Sequence, residues 1–380
     1  MQYIRRNGKL LLWALAIVGL GGIGPAHAQN SVAGWPDENF LVRKSQAVQF
    51  NTRATVLKSG KFESDEEEQK FADFYNLSLF PNVTNPENRQ LLKDDASARR
   101  EDVITKLRYD LRACEKVPEQ QVFNKLADLT LAYMTEIAAD SRFHPAARVN
   151  AMLAIGEVNS PKAAKVLLDT ALSRRQLFAV RVAAMTGLVR MAGPSGRGAL
   201  SDPEIEPLIL KNMVAFVKFH PPKGDRIDGI YWMRGQAADV LAELGNGGSQ
   251  NEVPPALLTM LNDKDLPIPL RSKAARALGK LNYGGNPPAA GPYLTALRDF
   301  GREALSSEQP ADRGRVRLVA RDVSDGLRPL ASRDQPLLDG LKKTFQTLNK
   351  ETEEKMTSED LKTAIAKAKA SLDGLVKNEE

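Results

Sequence analysis

The sequence predicts an all-α protein, an α-solenoid of stacked antiparallel helix pairs with helical caps at its ends. Three observations support this fold class. From about residue 96 the apolar residues recur with a period near 3.6, and almost no segment alternates as a strand does. Four segments in the middle of the chain align without gaps. Loops rich in proline and glycine separate the predicted helices, as in 193–196, 221–224, 245–248 and 284–292.

The composition of the 380 residues is that of a globular protein, with 42% hydrophobic and 26% charged residues. It excludes wholesale disorder, a collagen-like fibre and a multi-span membrane protein. The single cysteine excludes a disulfide framework and any Cys-based zinc or iron–sulfur cluster. Only three histidines are present, and one of them lies in the leader.

Residues 1–28 are predicted to be a cleaved signal peptide. Arg5, Arg6 and Lys9 precede an apolar run from Leu10 to Leu20, and Ala26-His27-Ala28 supplies a small–x–small cleavage site. We therefore expect an exported protein, periplasmic or extracellular, with no membrane span after cleavage. Removing the three leader cations lowers the net charge from +6 to +3, so the composition does not indicate a nucleic-acid partner.

Residues 29–62 show no sustained period and are predicted to be an N-terminal arm, either flexible or laid down as a strap. Residues 63–119 are predicted to be an N-terminal helical cap. Its acidic run, Glu63 to Glu68, is compatible with a calcium or cationic-partner site, but Ser64 and Glu67 form a capping box, which favours a helix start. Cys114 falls on an apolar helical stripe and is interpreted as a buried apolar residue.

The aligned segments lie in residues 120–283 and begin at Arg148, Arg181, Arg234 and Arg271. Three residues after each arginine comes an alanine, and offsets 6, 7 and 10 hold small or apolar residues. These offsets share one helical face, which we expect to be buried. The anchors are 33, 53 and 37 residues apart, the period range of two-helix repeats.

This pattern resembles the HEAT-repeat family, in particular its short bacterial, lyase-like version. The best match is Leu258 to Asp265, a leucine-rich helix and an Asp-containing turn, followed by Leu270 to Leu281. The resemblance implies a ladder of aspartates and arginines between repeats, in which Asp228 and Asp265 would serve. It implies a fold but no particular function, because such repeat arrays serve many roles.

Residues 284–333 are predicted to be a degenerate repeat or a C-terminal helical cap, and residues 334–380 to be C-terminal helices and a tail. Arg313, Arg317 and Arg321 recur at spacing four. This stripe is either a solvated helix face or a site for an anionic ligand, and nearby aspartates favour the solvated face. The final helix could dock on the last repeat or dimerise, and docking is favoured because its apolar pattern is short.

No catalytic, cofactor-binding or metal-binding residues are predicted. The sequence contains no Cys-x-x-Cys-His, His-Glu-x-x-His or Gly-x-Ser-x-Gly motif. His144 and His220 each precede a proline and are interpreted as residues of turns or helix starts. We therefore expect a protein that is not an enzyme and needs no cofactor.

The function predicted is that of an exported scaffold that binds a protein partner through its curved helical surface. The alternatives are a lyase or hydrolase built on the same scaffold, or an accessory subunit of an envelope complex. An anionic glycan is a weaker candidate ligand. Partner contact is predicted at an aromatic pair and at charged positions expected to point outward at offsets 2, 5 and 9. These residues are Arg190, Tyr231, Trp232, Asp239, Glu243, Lys273, Arg276 and Lys280. The aromatic pair lies in the longest insertion between anchors, and packing of this insertion onto the repeats is the favoured alternative for it.

Overall fold

The computed structural model describes residues 40–85, 103–193, 197–221, 227–283, 290–306, 312–330, 335–353 and 356–377. In these ranges the chain forms sixteen α-helices and no strand, which confirms the all-α prediction. The predicted signal peptide, and residues 29–39 of the predicted arm, lie outside the described residues. The chain divides into two compact units. The first ends at Ile205 and the second begins at Glu206.

Residues 40–62 lie against the helices of the first unit as a strap. The Leu41 amide donates to the Arg142 carbonyl at 2.9 Å. The Arg43 guanidinium lies over the Tyr133 ring, 4.5 Å from its centroid. Of the two predicted alternatives, a flexible arm and a strap, the described residues form the strap. A segment without a helical period is fixed here by backbone hydrogen bonds and a cation–π contact, which leave no periodic signal.

The acidic run begins a helix, as predicted. The Ser64 hydroxyl accepts from the Glu67 amide at 3.2 Å, and the Glu67 carboxylate accepts from the Glu63 amide at 2.9 Å. This reciprocal cap satisfies two backbone donors at the helix start. The N-terminal elements are α1 (Arg53–Ser59), α2 (Asp65–Asp73), a π-helical turn (Phe74–Leu79) and a 3₁₀ helix (Phe80–Thr84).

The rest of the first unit is built from helix pairs. In two of them, α4 with α5 and α6 with α7, the paired helices are consecutive in the chain, and the second helices α5 and α7 also pack on each other. The helices of this region are α3 (Val103–Glu115), α4 (Gln121–Ala139), α5 (Pro145–Ile155), α6 (Pro161–Leu172), α7 (Phe178–Ala192) and α8 (Arg197–Leu200).

The second unit repeats this arrangement. Helix α11 packs on α12, α13 on α14, and α15 on α16, while α12 lies between α10 and α14. The last helix, α16, docks on α15 and α13, as predicted. The helices are α9 (Ile205–Lys218), α10 (Ile227–Leu244), α11 (Val253–Asn262), α12 (Ile268–Lys280), α13 (Ala290–Ser306), α14 (Arg313–Leu327), α15 (Gln335–Glu351) and α16 (Ser358–Lys377).

The face predicted to be buried in each second helix is buried. At offset 3 the four alanines, Ala151, Ala184, Ala237 and Ala274, are fully buried. Offsets 6, 7 and 10 hold buried residues in all four helices, except that Leu244 is half-buried. A small side chain at offset 3 allows a neighbouring backbone to approach closely, and the larger residues fill the space beyond.

Candidate functional site

Four arginines close the ends of the helices that precede them. They are the residues on which the sequence segments align: Arg148, Arg181, Arg234 and Arg271. In each case Nε donates to the carbonyl of the next-to-last residue of the preceding helix, at 3.0, 2.9, 3.2 and 2.7 Å. The last carbonyls of a helix lack intrahelical donors and carry partial negative charge. A guanidinium at this point therefore supplies both a donor and a complementary charge.

Three of these guanidinium groups also reach the next helix pair, so one side chain fixes two successive connections. Those of Arg234 and Arg271 are almost fully buried, at 0% and 3% exposure. The second contacts are Arg148 to Gln176 Oε1 at 2.7 Å, Arg234 to Asp263 Oδ2 at 2.8 Å, and Arg271 to both Glu303 oxygens at 2.6 and 3.0 Å.

We call the contacts of Arg148, Arg181, Arg234 and Arg271 the arginine ladder. The acid that accepts from Arg234 in this ladder is not the one expected from the sequence resemblance. Asp263, rather than Asp265, accepts from Arg234. Asp265 donates its backbone amide to Asp263 at 3.2 Å, and Asp228 lies exposed in the first turn of α10. Asp263 directly follows α11. Its carboxylate accepts from the Asp265 amide within the turn and from Arg234 of the preceding pair.

The charged residues predicted to bind a partner are held in ion pairs within the second unit. Asp239, only 9% exposed, accepts from Lys273 at 2.6 Å and from Arg276. Glu243 accepts from Lys280. The prediction that these positions face outward is therefore wrong for Asp239, while Lys280 is the most exposed cation of the set.

The first unit contains the corresponding arrangement. Arg190, also predicted to face a partner, pairs with Glu157, whose side chain is 4% exposed. Arg108 binds the same carboxylate through two hydrogen bonds of 2.8 Å. One acid on α5's C-terminal side thus joins α3 and α7.

Helix geometry explains the error. At 100° per residue, the centre of offsets 2, 5 and 9 lies about 115° from the centre of offsets 3, 6, 7 and 10, rather than opposite to it. Those positions form a flank. Because consecutive second helices lie side by side, the flank faces a neighbouring helix, and Leu153 and Ala183 on it are buried.

The aromatic pair lies next to the arginine ladder. Tyr231 and Trp232 are both half-buried. The Arg234 guanidinium is 5.9 Å from the centroid of the Tyr231 ring. Burial raises the pKa of the Tyr231 hydroxyl, and the negative charges of Asp265 and Asp263 raise it further.

His144 and His220 both have structural contacts. His144 Nδ1 accepts from the Ala146 amide at 3.0 Å and caps α5, in agreement with its interpretation as a turn or helix-start residue. His220 Nδ1 lies 3.3 Å from the buried Asp263 carboxylate, while 58% of the His220 side chain is exposed. An imidazole held by a buried carboxylate has one nitrogen left for solvent or a ligand.

The arginine stripe of α14 contacts the end of α15. The Arg313 guanidinium donates to the carbonyls of Thr352 and Glu353 at 2.9 and 2.8 Å. Arg317 pairs with the Glu353 carboxylate at 3.1 Å, and Arg321 with the neighbouring Asp322. The stripe is therefore neither purely solvated nor an open anion site, since it terminates a neighbouring helix.

Cys114 is fully buried, as predicted, and burial raises the pKa of its thiol to about 12. Within the described ranges, no group of three His, Cys, Asp or Glu side chains could hold a metal ion. In the same part of the chain, no helix has the length and apolar content needed to cross a bilayer.

Two features of the second helices were not predicted from the sequence. Glu157 is shared by two arginines, and glycines meet where second helices cross. A β-carbon on Gly156 would lie 2.7 Å from the Gly187 α-carbon, and one on Gly279 would overlap the Asp325 carbonyl next to Gly326. The signal was available, because in both crossings a glycine stands eight residues after the anchoring arginine of the first helix.

No protein-family model, no curated protein and no solved structure matches this chain. The chain does, however, repeat internally. That repetition is physical as well as sequential, because the same arginine contact recurs in four helix pairs.

Proposed function

We propose that the chain is an exported, non-enzymatic scaffold, a HEAT-like α-solenoid that binds a protein partner through its helical surface. The observation that carries this proposal is the recurring arginine contact. In four helix pairs one guanidinium caps the preceding helix, and in three of them it also fixes the next pair. Such nearest-neighbour coupling is what a repeat scaffold requires.

Because the charged flank is used between helices, a binding role falls to other positions, and each unit exposes apolar side chains at a turn. The acids and cations of the flank are used between helices, whereas apolar side chains are exposed at the turns. Leu172 and Leu177 bracket the turn between α6 and α7, with 36% and 40% exposure, and Phe219 after α9 is 41% exposed.

Chemical crosslinking in the envelope tests the scaffold role. The tagged mature chain is crosslinked in intact cells, purified under denaturing conditions, and its crosslinked peptides are identified by mass spectrometry. We expect one reproducible partner, with crosslinks that fall near the turn residues. A chain that crosslinks only at the level of an unrelated exported protein would contradict the proposal.

Export is tested separately by the intact mass of the protein from the envelope fraction. We expect a chain that begins at Gln29, since Ala26-His27-Ala28 precedes it. A chain that retains Met1 and sediments with membranes would contradict export.

One observation favours the alternative of an enzyme on this scaffold. The contact between His220 and the buried Asp263 at 3.3 Å is the arrangement that orients a general base. Asp263 also accepts from Arg234, so the capping role explains its burial without catalysis. If hydrolase or lyase substrates are turned over by the mature chain and not by His220→Gln, the enzymatic alternative replaces the scaffold.

A further inference from the structure

Among the anchoring arginines of the second unit, Arg271 makes a different second contact from Arg234. Arg234 reaches the turn that follows α11, whereas Arg271 reaches Glu303 on helix α13 itself. Beside this contact a groove of about 910 Å³ lies between the turn from α11 to α12 and the C-terminal half of α13. The groove is wide and open to solvent.

Positive charge is in excess along the groove. Its walls contain four cations, Lys264, Arg271, Arg298 and Arg302, and two acids, Asp299 and Glu303. Both acids are already bound by arginines of the groove. Arg298 donates to Asp299 at 3.0 Å, and Arg271 binds Glu303 through two hydrogen bonds. Two positive charges therefore exceed the acids that line the groove.

The two cations at the rim are accessible. Lys264 is exposed and makes no hydrogen bond or ion pair within the part of the chain that the structure describes. Arg302 pairs with Asp373 at 2.7 Å, but both side chains are about half exposed. An exposed pair of this kind is weak, so an incoming carboxylate can share the Arg302 guanidinium.

The carboxylate of Glu303, in the groove, remains ionised near neutral pH. The hydrogen bonds from Arg271 lower the pKa of Glu303, and the charge of Lys264 lowers it further. Glu303 therefore stays ionised and keeps Arg271 in place, which leaves Lys264 and Arg302 to meet a ligand.

We infer that this groove binds an acidic segment of the partner protein, with carboxylates of the segment at Lys264 and Arg302. This inference rests on the proposed scaffold function and specifies the chemistry of the partner. The unit that contains the groove, residues 206–380, carries 26 Lys and Arg against 24 Asp and Glu, so the charge that favours an acidic segment is the local one at Lys264 and Arg302.

A nucleic acid fits the groove less well than an acidic peptide. A phosphate backbone carries closely spaced charges, which would meet Asp299, Glu303 and Asp373 as well as the cations. Carboxylates spaced along a peptide can contact the two rim cations while approaching only Asp373, which shares the Arg302 guanidinium.

The test is fluorescence anisotropy of the mature chain with a short, labelled peptide of alternating glutamate and glycine. A glutamine–glycine peptide and a lysine–glycine peptide serve as controls. The groove variant is Lys264→Glu with Arg302→Glu. The matched variant is Arg174→Glu with Lys211→Glu, which changes the net charge equally at exposed positions outside the groove. Arg174 occupies in the turn before α7 the position that Lys264 occupies before α12. Circular dichroism melting checks that both variants fold.

We expect the glutamate peptide to bind the wild-type chain and the matched variant, and to bind the groove variant at least about tenfold more weakly. The glutamine and lysine peptides should not bind. Equal weakening by both variants, binding of the lysine peptide instead, or no binding of the glutamate peptide would each overturn the assignment. Tighter and salt-resistant binding of a labelled DNA strand would assign the groove to nucleic acid and overturn it as well.

The crosslinking experiment separates this inference from the proposed function. If the groove variant captures the same partner as the wild type in the envelope, the scaffold role holds and the groove assignment fails. If the groove binds the glutamate peptide but no partner is captured in the envelope, the groove assignment holds and the scaffold role fails.

Discussion

Consecutive second helices meet in two different ways in this protein. Helices α5 and α7 of the first unit, and α12 and α14 of the second, cross where two glycines face each other. Helices α10 and α12 have alanines, Ala242 and Ala277, at the corresponding offsets. That contact has no glycine pair and is bridged by Asp239 with Lys273 and Arg276. Between α5 and α7 the ion pair of Arg190 with Glu157 lies beside the glycines, so an ion pair occurs at both kinds of contact.

The difference separates a contact in which the backbones touch from one that side chains alone bridge. At a glycine crossing the two backbones are in contact, so the distance between the helices is fixed by atoms that cannot move aside. At the ion-paired contact, flexible side chains span the flank and can adjust. Helix α12 has one contact of each kind, on opposite neighbours, which makes it the best place to compare them.

The largest effect is expected for Gly279→Ala. A β-carbon there would overlap the Asp325 carbonyl oxygen and approach the Gly326 amide, both of which are backbone. The crossing of α12 and α14 would have to open, at a cost of about 4 kcal/mol or more in unfolding free energy. Urea denaturation followed by circular dichroism measures it.

Gly374→Ala on α16 is the matched control for this substitution. No atom lies within 4 Å of a β-carbon built at Gly374. The change should be neutral or stabilise the protein by up to about 1 kcal/mol, because alanine is the better helix former. Equal unfolding free energies for the two variants would show that the crossing is not closely packed.

The second prediction concerns the glycine crossing of the first unit. The β-carbon of Gly156→Ala would lie 2.7 Å from the Gly187 α-carbon, a milder overlap than that at Gly279, and we expect a loss of about 2–3 kcal/mol. Cys114, the single cysteine, reports on this unit because it is fully buried and its pKa is about 12.

Labelling of Cys114 by a thiol reagent at pH 8 measures the effect. The thiol should be inert in the wild-type protein, since neither access nor thiolate is available. Gly156→Ala should accelerate labelling about thirtyfold or more, as local opening becomes more frequent. Rapid labelling of the native wild type would contradict the burial on which this measurement depends.

The third prediction concerns the ion-paired contact. Asp239→Asn leaves Lys273 and Arg276 facing a neutral amide. The two cations are about a quarter exposed, at 23% and 26%, so water compensates in part, and we expect a loss of about 1–2 kcal/mol. Asp169→Asn, which breaks an exposed pair with Lys165, is the control and should cost less than about 0.5 kcal/mol.

Salt distinguishes the two kinds of contact further. High ionic strength should reduce the difference between Asp239→Asn and the wild type, because part of that difference is screened. It should leave the loss caused by Gly279→Ala unchanged. The same salt response for both variants would contradict the division into steric and electrostatic contacts.

Sequence reasoning predicted what depends on local periodicity. The buried alanines at offset 3, the cap at Ser64 and the burial of Cys114 are properties of one helix and its own pattern. The flank was assigned wrongly because its neighbours depend on how helices lie side by side, which the period of one helix does not contain. The pairing of Arg190 with Glu157 was nevertheless accessible, since both occupy offset 9 in successive segments.

The smallest effect is expected where the flank is most exposed. The side chains of Lys280 and Glu243 are 38% and 21% exposed. Water already solvates both charges, so their ion pair adds little to the unfolding free energy. A double-mutant cycle with Lys280→Ala and Glu243→Ala should give a coupling energy below about 1 kcal/mol in urea denaturation. Lys280 can then be reversed in charge without unfolding the chain, and it is the flank position best suited to probe partner capture. A coupling energy above about 2 kcal/mol would show that this pair stabilises the fold as the buried contact of Asp239 does. Lys280 would then be a structural residue, and no flank residue would be left to meet a partner.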